Sequence, residues 1–237
     1  MAFRHWGDLK ADDLKALVTD ATVALLPVGA IEQHGPHLPL ATDAILAEAV
    51  ALRAAAAVKD AQVLLLPTVA VAKSDEHLAF PGVLTLDAAT LQAVLVQTGK
   101  SVARSGIRRL VFLNAHGGNV PVLQVAARTL RVESDMFCLA AGWMSMGYPA
   151  GLVSEAEARD GIHAGFVETA AMLHVRPDLV AMDKARDFVP TSRAVAQSNE
   201  ILRIVGPVSA GWMMHDLNPD GAAGNAENPN GGKGGNG

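Results

Sequence analysis

The chain has 237 residues, half of them hydrophobic, a formal net charge of −5 and a single cysteine, Cys138. That length suits one domain with a substantial core, no apolar run reaches the ~20 residues of a membrane span, and Met1 to Trp6 holds no apolar signal core. The acidic balance gives no footprint for nucleic acid, and a lone thiol within an apolar run excludes an internal disulfide and suits a buried, inert residue in a reducing cytoplasm.

Asp8 to Val18 places Leu9, Leu14, Leu17 and Val18 at helical intervals and predicts an amphipathic helix. Thr22 to Val28 is a short run rich in Val and Leu, the pattern of a strand buried on both faces. Gly29 to Asp43 follows, and Gly35, Pro36 and Pro39 keep it out of helix and strand. Thr42 is placed to cap a helix from Asp43 to about Val58. Gln62 to Val71 predicts a second buried strand and Lys73 to Gly82 a polar loop. Leu86 to Ser105 predicts a helix with Leu91, Val94, Leu95 and Val102 at helical spacing. Arg109 to Asn114 is a third strand, Val120 to Val132 a helix and Met136 to Ala141 a fourth strand. Gly142 to Gly161 reads as irregular, and His163 to Val175 as a helix that ends before Arg176-Pro177. Helices alternate with buried strands, so the expected class is α/β: a mostly parallel sheet with helices on both faces. Residues 1–215 are expected to form a single domain, and residues 216–237, where Gly and Asn dominate, a C-terminal tail of loop or disorder.

The polar chemistry collects in four places, and in open α/β sheets ligands bind outside the carboxyl ends of the strands. The first loop supplies Glu32, His34, His37 and Asp43; the second supplies Ser74, Glu76 and His77. The third supplies His116 with Gly117 and Gly118, and the fourth Asp160, His163 and Glu168. Glu32 and His34 are two apart, so on an extended backbone they point the same way. Asp43, at a helix start, has two oxygens and suits a bridge between two cations. His116 would complete one metal. Glu168 is the candidate for the other, as a ligand or as the partner of one, because a buried glutamate needs a partner. Nitrogen and oxygen ligands of this kind fit two divalent ions, Zn, Mn or Fe, which together activate a water and polarise a carbonyl. His37 is read as a supporting, loop-stapling residue, Glu76 and His77 as pocket lining or solvated loop, and Trp143 and Met144 as core or pocket wall. A nucleotide-binding reading lacks support: Gly117-Gly118 is too short for a phosphate fingerprint and no Walker lysine follows.

Glu32-Gln33-His34-Gly35-Pro36-His37-Leu38-Pro39 with Thr42-Asp43 resembles the signature of the creatininase family of metal-dependent amidohydrolases. Ser74-Asp75-Glu76-His77 with Phe80-Pro81-Gly82, Asn114-Ala115-His116-Gly117-Gly118-Asn119, and His163-Ala164-Gly165 with Glu168-Thr169 match in order. The resemblance implies a three-layer α/β/α sandwich, a dinuclear centre, hydrolysis of a linear or cyclic amide C–N bond, and a homo-oligomer, commonly a hexamer. It implies that Glu32 and His116 hold one metal, His34 the other, and that Asp43 bridges them. It places His163 as the proton shuttle to the leaving nitrogen and Ser74 and Asp160 against the substrate. Two departures stand out. Gly117 and Gly118 occupy positions where creatininase has a substrate-contacting aromatic and a metal-binding glutamate, which argues against creatinine and calls for another ligand, Glu168. Gly221 to Gly237 lacks the helical pattern with which family members close.

The expected activity is metal-dependent cleavage of a non-peptide amide C–N bond in a small molecule. His163 and Glu168 are then catalytic, and Ser74, His77, Gly117 and Asp160 face the substrate. The alternatives are a peptidase of the mycofactocin-maturation type, a formamide deformylase, and a metal-binding protein without turnover.

Overall fold

A computed structural model describes residues 3–206, 208–227 and 229. The chain falls into two compact units where the sequence reads as one domain. One is built from the chain up to Ile31, Asp43–Asp75 and Leu84–Met146; the other from Glu32–Thr42, Glu76–Val83 and the residues from Gly147 onward. The chain leaves the first unit twice and returns, so no single linker marks a boundary in the sequence.

The first unit contains, in order, β1 (Arg4–His5), α1 (Ala11–Leu17), β2 (Val23–Val28), α2 (Thr42–Ala57), β3 (Val63–Leu65), α3 (Ala88–Arg104), β4 (Arg109–Asn114), α4 (Val120–Ser134) and β5 (Phe137–Gly142). Its five strands form one sheet in the order β1-β3-β2-β4-β5, every neighbouring pair parallel. Alternate residues of the central strands serve opposite faces. Leu26, Leu64, Leu110 and Phe112 pack with Leu91, Leu95, Leu123 and Leu130 of α3 and α4. Leu25, Val63, Leu65 and Leu113 pack with Ala51 and Ala55 of α2. Both faces are covered, which is why these strands read as unbroken apolar runs. The result is the α/β class expected, in three layers.

Differences from the sequence reading have local causes. The strand expected over Gln62 to Val71 is only Val63–Leu65, because Pro67 has no N–H for the ladder, although Val69 still bridges Val28. Asp87 starts α3 by accepting a 2.7 Å hydrogen bond from the Thr90 N–H. β5 lies at the sheet edge with Phe137 62% and Leu139 45% exposed.

The strand order reverses around β2: the chain passes to β3 on one side of it and to β4 on the other. The carboxyl end of β2 is therefore a topological switch point, where ligand sites form. Val28, its last residue, pairs in register with Asn114, the last of β4.

The second unit adds α5 (Glu155–Asp160), α6 (Phe166–Val175), β6 (Asp187–Phe188), α7 (Ser192–Ser198), α8 (Met214–Leu217) and β7 (Gly224–Asn225). α5 lies in the stretch expected to be irregular; Ser154 caps it by accepting from the Glu157 N–H. The small core gathers Met214, Leu217 and Ala223 with Phe80, Ile162 and Trp212. Residues expected as tail take part in it. Ala223 exchanges main-chain hydrogen bonds with His163, and β7 pairs antiparallel with β6. A stretch of Gly and Ala packs through its backbone, and composition alone does not reveal that. Of the remainder of that tail, residues 228 and 230–237 lie outside the described residues. Among the described residues no helix is long and apolar enough to cross a membrane.

Candidate active site

In the first unit the site is set by strand and helix ends. β4 ends at Asn114, and His116 follows with its ring buried. The Asn114 side chain braces the turn: its amide donates to the His116 carbonyl at 2.6 Å and its oxygen accepts from the His116 N–H at 3.2 Å. Asn119, fully buried, donates to the Gly29 carbonyl at 2.9 Å and accepts from the Lys73 N–H at 3.1 Å. Three loops are thereby tied by one amide. Gly29 lets the end of β2 meet the start of α2, since a Cβ there would stand 2.5 Å from Ala44 backbone atoms. That contact fixes Asp43 at the first turn of α2, with Oδ2 3.2 Å from His116 Nδ1. Ser74 is buried and its N–H donates to the Thr85 hydroxyl at 2.8 Å. Gly117 is exposed, and a Cβ built on it meets nothing within 4 Å.

In the second unit the candidates are held by one another. Glu32, His34, His77, His163 and Glu168 are all buried. Two trios have ligand-capable atoms within 4.8 Å of each other: Glu32 with His77 and His163, and His34 with His163 and Glu168. His34 Nδ1 lies 3.1 Å from its neighbour's carbonyl, Glu32 O, which can only accept. The His34 hydrogen therefore sits on Nδ1 and its Nε2 is the atom available to a metal. Glu168 Oε2 accepts from the Ala164 N–H at 2.5 Å, and Ala164 holds a left-handed φ of 53° right after His163. For a non-glycine residue that conformation is strained, and here it re-aims the chain between the catalytic candidate and its helix.

His37 staples rather than ligates in this geometry. Its Nε2 pairs with the Thr169 hydroxyl at 3.0 Å and its ring stacks on Phe188. Burial first, and then the neighbouring His34, push its pKa down to about 4, so the ring is neutral at pH 7. Asp160 lies against arginines: Arg159 binds both oxygens at 2.9 Å and Arg193 adds a 3.0 Å bond. The Arg159 hydrogen bond holds the Asp160 carboxyl below its ordinary pKa, and Arg193 adds to the effect.

Sequence reasoning passed over Gln33, Asn114, Asn119, Thr169 and Tyr148. Tyr148 sits near enough to Glu168 and Glu157 that, after burial, their charges raise its phenol pKa. The signal for the two asparagines was present in Asn114-Ala115-His116-Gly117-Gly118-Asn119, since amides flanking a loop after a strand are natural backbone braces. Nothing local marked Tyr148.

A donor set of imidazoles and carboxylates, buried and without thiolate, is chemically suited to divalent ions. The profile of a family described as creatininase, creatinine amidohydrolase, matches residues 7–236. The chain belongs to the creatininase family. Among relatives, a mycofactocin precursor peptide peptidase of Mycolicibacterium smegmatis is 41% identical over 165 residues, 68% of this chain and 61% of that protein. This chain thus spans about three-fifths of that relative's length. A creatinine amidohydrolase of Pseudomonas putida is 32% identical over 190 residues, covering 72% of this chain and 70% of the relative. Among solved structures, a manganese creatininase superposes with a TM-score of 0.73 at 27% identity, covering 94% of this chain and 88% of that one. A mutant creatininase of Zn-Zn type gives a TM-score of 0.72 at 26% identity over the same shares.

Proposed function

We propose that this protein is a metal-dependent amidohydrolase that cleaves an amide C–N bond of a peptide. The observation that carries the hydrolase reading is the buried set of Glu32, His34, His163 and Glu168. A peptide substrate is favoured over the small-molecule amide expected from the sequence for two reasons. The relative at 41% identity is named a peptide peptidase. The exposed Gly117 leaves open space beside His116, where a side chain would fill the approach to a compact ring substrate. A formamide or a small cyclic amide is the second reading, supported by the creatinine amidohydrolase relative.

In this reading Glu32, His34, Asp43 and His116 would be the ligands of divalent metal, an assignment carried by the motif resemblance, and Glu168 would be a further ligand, supported by its burial beside His34 and His163; Zn and Mn are the metals named for solved relatives. Bound ions would polarise the amide carbonyl and lower the pKa of water to near neutrality. The chain supplies the rest. His163, anchored through its main chain to Ala223, is the group that gives a proton to the departing nitrogen. Glu168 is tied to the Ala164 N–H in the strained turn after His163, so the two move together. Ser74 and Gly117 line the substrate approach. The protein also acts as a homo-oligomer in this reading, supported by the exposed apolar side of edge strand β5 at Phe137 and Leu139.

Elemental analysis of the purified protein, followed by a panel of the mycofactocin precursor peptide, other short peptides, formamides and creatinine, tests the proposal. The expected result is bound divalent metal and peptide cleavage that stops on chelation and returns with Zn or Mn. Turnover of formamides or creatinine with peptides untouched would overturn the peptide assignment, and metal without any turnover the enzymatic one.

A further inference from the structure

Glu157 lies in α5 of the second unit, and its side chain leaves that helix to meet two other segments. Oε1 accepts from the Phe166 N–H at 2.8 Å, and Oε2 accepts from the Asn225 N–H at 2.9 Å. Phe166 is the first residue of α6, and Gly165 before it has no side chain with which to cap the helix. The first N–H groups of a helix lack intrahelical partners and carry the positive end of its dipole, so a carboxylate there meets both needs. Asn225 belongs to β7. The Glu157 main chain takes part as well: its carbonyl accepts from the Gly161 N–H at 2.7 Å. One residue therefore holds both ends of the loop that runs from Gly161 to Phe166.

Three glycines make room for the carboxylate. A Cβ built on Gly161, Gly165 or Gly224 would come within 2.8 Å of Glu157 Oε1, so each converging segment gives up its side chain at this spot. The loop so enclosed carries His163 at its centre. Ile162 and His163 donate to the Ala223 carbonyl at 2.8 and 3.1 Å, and Ala223 donates back to the His163 carbonyl at 2.7 Å. Asn225, two residues further on, returns that partner segment to the same carboxylate.

We propose that Glu157 is a positioning residue for His163: its carboxylate locks the loop that presents the imidazole to the start of α6 and to β7. The inference rests on the reading of His163 as the proton donor and adds what aims it. Hydrogen bonds to an ionised acceptor are about twice as strong as neutral ones, which suits a loop with few other anchors. Both oxygens are engaged by main-chain N–H groups, so Glu157 acts through His163 and not on the reacting atoms.

The test uses the full chain loaded with zinc. Amide hydrogen exchange, which needs no substrate, should quicken about 10- to 100-fold at Phe166 and Asn225 in Glu157→Ala, as expected for loss of a charged acceptor. Glu157→Gln keeps the shape but offers one acceptor oxygen, so only one of the two amides should quicken; it stands in if the alanine variant does not fold. On the amide that the substrate panel finds cleaved, Glu157→Ala should lower kcat about 10- to 100-fold with KM within about threefold, because a displaced donor impairs the step and not the binding. Gly165→Ala, which drives the carboxylate aside, should lower kcat similarly but add little in the Glu157→Ala background, where the clash is gone. Unchanged exchange at both amides, additive effects of the two substitutions, or wild-type kcat in Glu157→Ala while His163→Gln is slow would overturn the proposal. Wild-type kcat in His163→Gln would overturn the proton-donor reading itself, a failure separate from that of the clasp, which the exchange rates decide.

Discussion

Asp43 and His116 in the first unit, and Glu32, His34, His77 and His163 in the second, reach their places by different physics. The first pair hangs on regular structure: β4 delivers His116, the first turn of α2 delivers Asp43, and a close backbone contact at Gly29 joins the two ends. The second group sits on irregular chain and is held by side-chain and carbonyl hydrogen bonds between residues far apart in sequence, 33 with 77, 37 with 169, 163 with 223. A scaffold of ladders tolerates loss of one polar contact because many others define the same geometry. A web of single hydrogen bonds does not, and its members fail together.

The largest effect expected within the sheet-borne half comes from Asp43→Ala. If Asp43 is a ligand, activity on a cognate amide should fall by more than the roughly 100-fold that loss of an outer partner costs, together with metal content. Full metal and full activity in that variant would remove Asp43 from the centre. Asn119→Ala comes next. It strips donors and acceptors from Gly29, Lys73 and Asn114 in a buried place, and each group left without a partner costs about 1–3 kcal/mol. We expect a total near 3 kcal/mol, seen as a lower urea midpoint at unchanged slope.

A pair of glycine variants sharpens the contrast. A Cβ at Gly29 meets backbone atoms of Ala44, which cannot move without shifting α2, whereas a Cβ at Gly221 meets the amide of Gln33, which can rotate away. Gly29→Ala should therefore cost about 2–3 kcal/mol of stability, in the upper range for overpacking. Gly221→Ala, despite its φ of 76°, should cost only about 1 kcal/mol, because the group it meets is the far end of a flexible side chain. Equal stability losses in the two variants, measured as urea midpoints, would erase the contrast between a backbone contact and a side-chain one.

That same distinction explains what could be read from the sequence. The run Arg109 to Asn114 is a strand in the structure with the bounds its pattern predicts, and Thr42 to Ala57 is a helix within a residue of expectation. Both follow from periodicity, which is local. His116 and Asp43 were legible as candidates because one follows such a strand by two residues and the other lies in the first turn of such a helix. Gln33 was not, since its significance depends on His77 lying beside it, and no spacing within the opening motif encodes that. The stretch from Gly221 to Ala226 misled in the opposite direction: it is rich in Gly and Ala, yet its backbone clamps His163 and completes a small sheet. Composition measures side chains, and this segment works through its main chain.

The smallest effect expected concerns His37, which belongs to the loop-borne half but bonds Thr169 and stacks on Phe188. Burial, reinforced by His34, holds its pKa at about 4 in the fold against 6.5 for an ordinary histidine. The unfolded chain therefore takes up this proton first as pH falls. The stabilising contribution is fully present above about pH 6.5 and is lost progressively as pH drops toward 4. Urea midpoints measured from pH 7.5 down to pH 4.5 should decline for the wild-type protein and decline less for His37→Gln, which keeps a donor for Thr169 but has nothing to protonate. An identical decline in both would assign the acid sensitivity of the second unit to its other histidines and leave His37 as a packing residue alone.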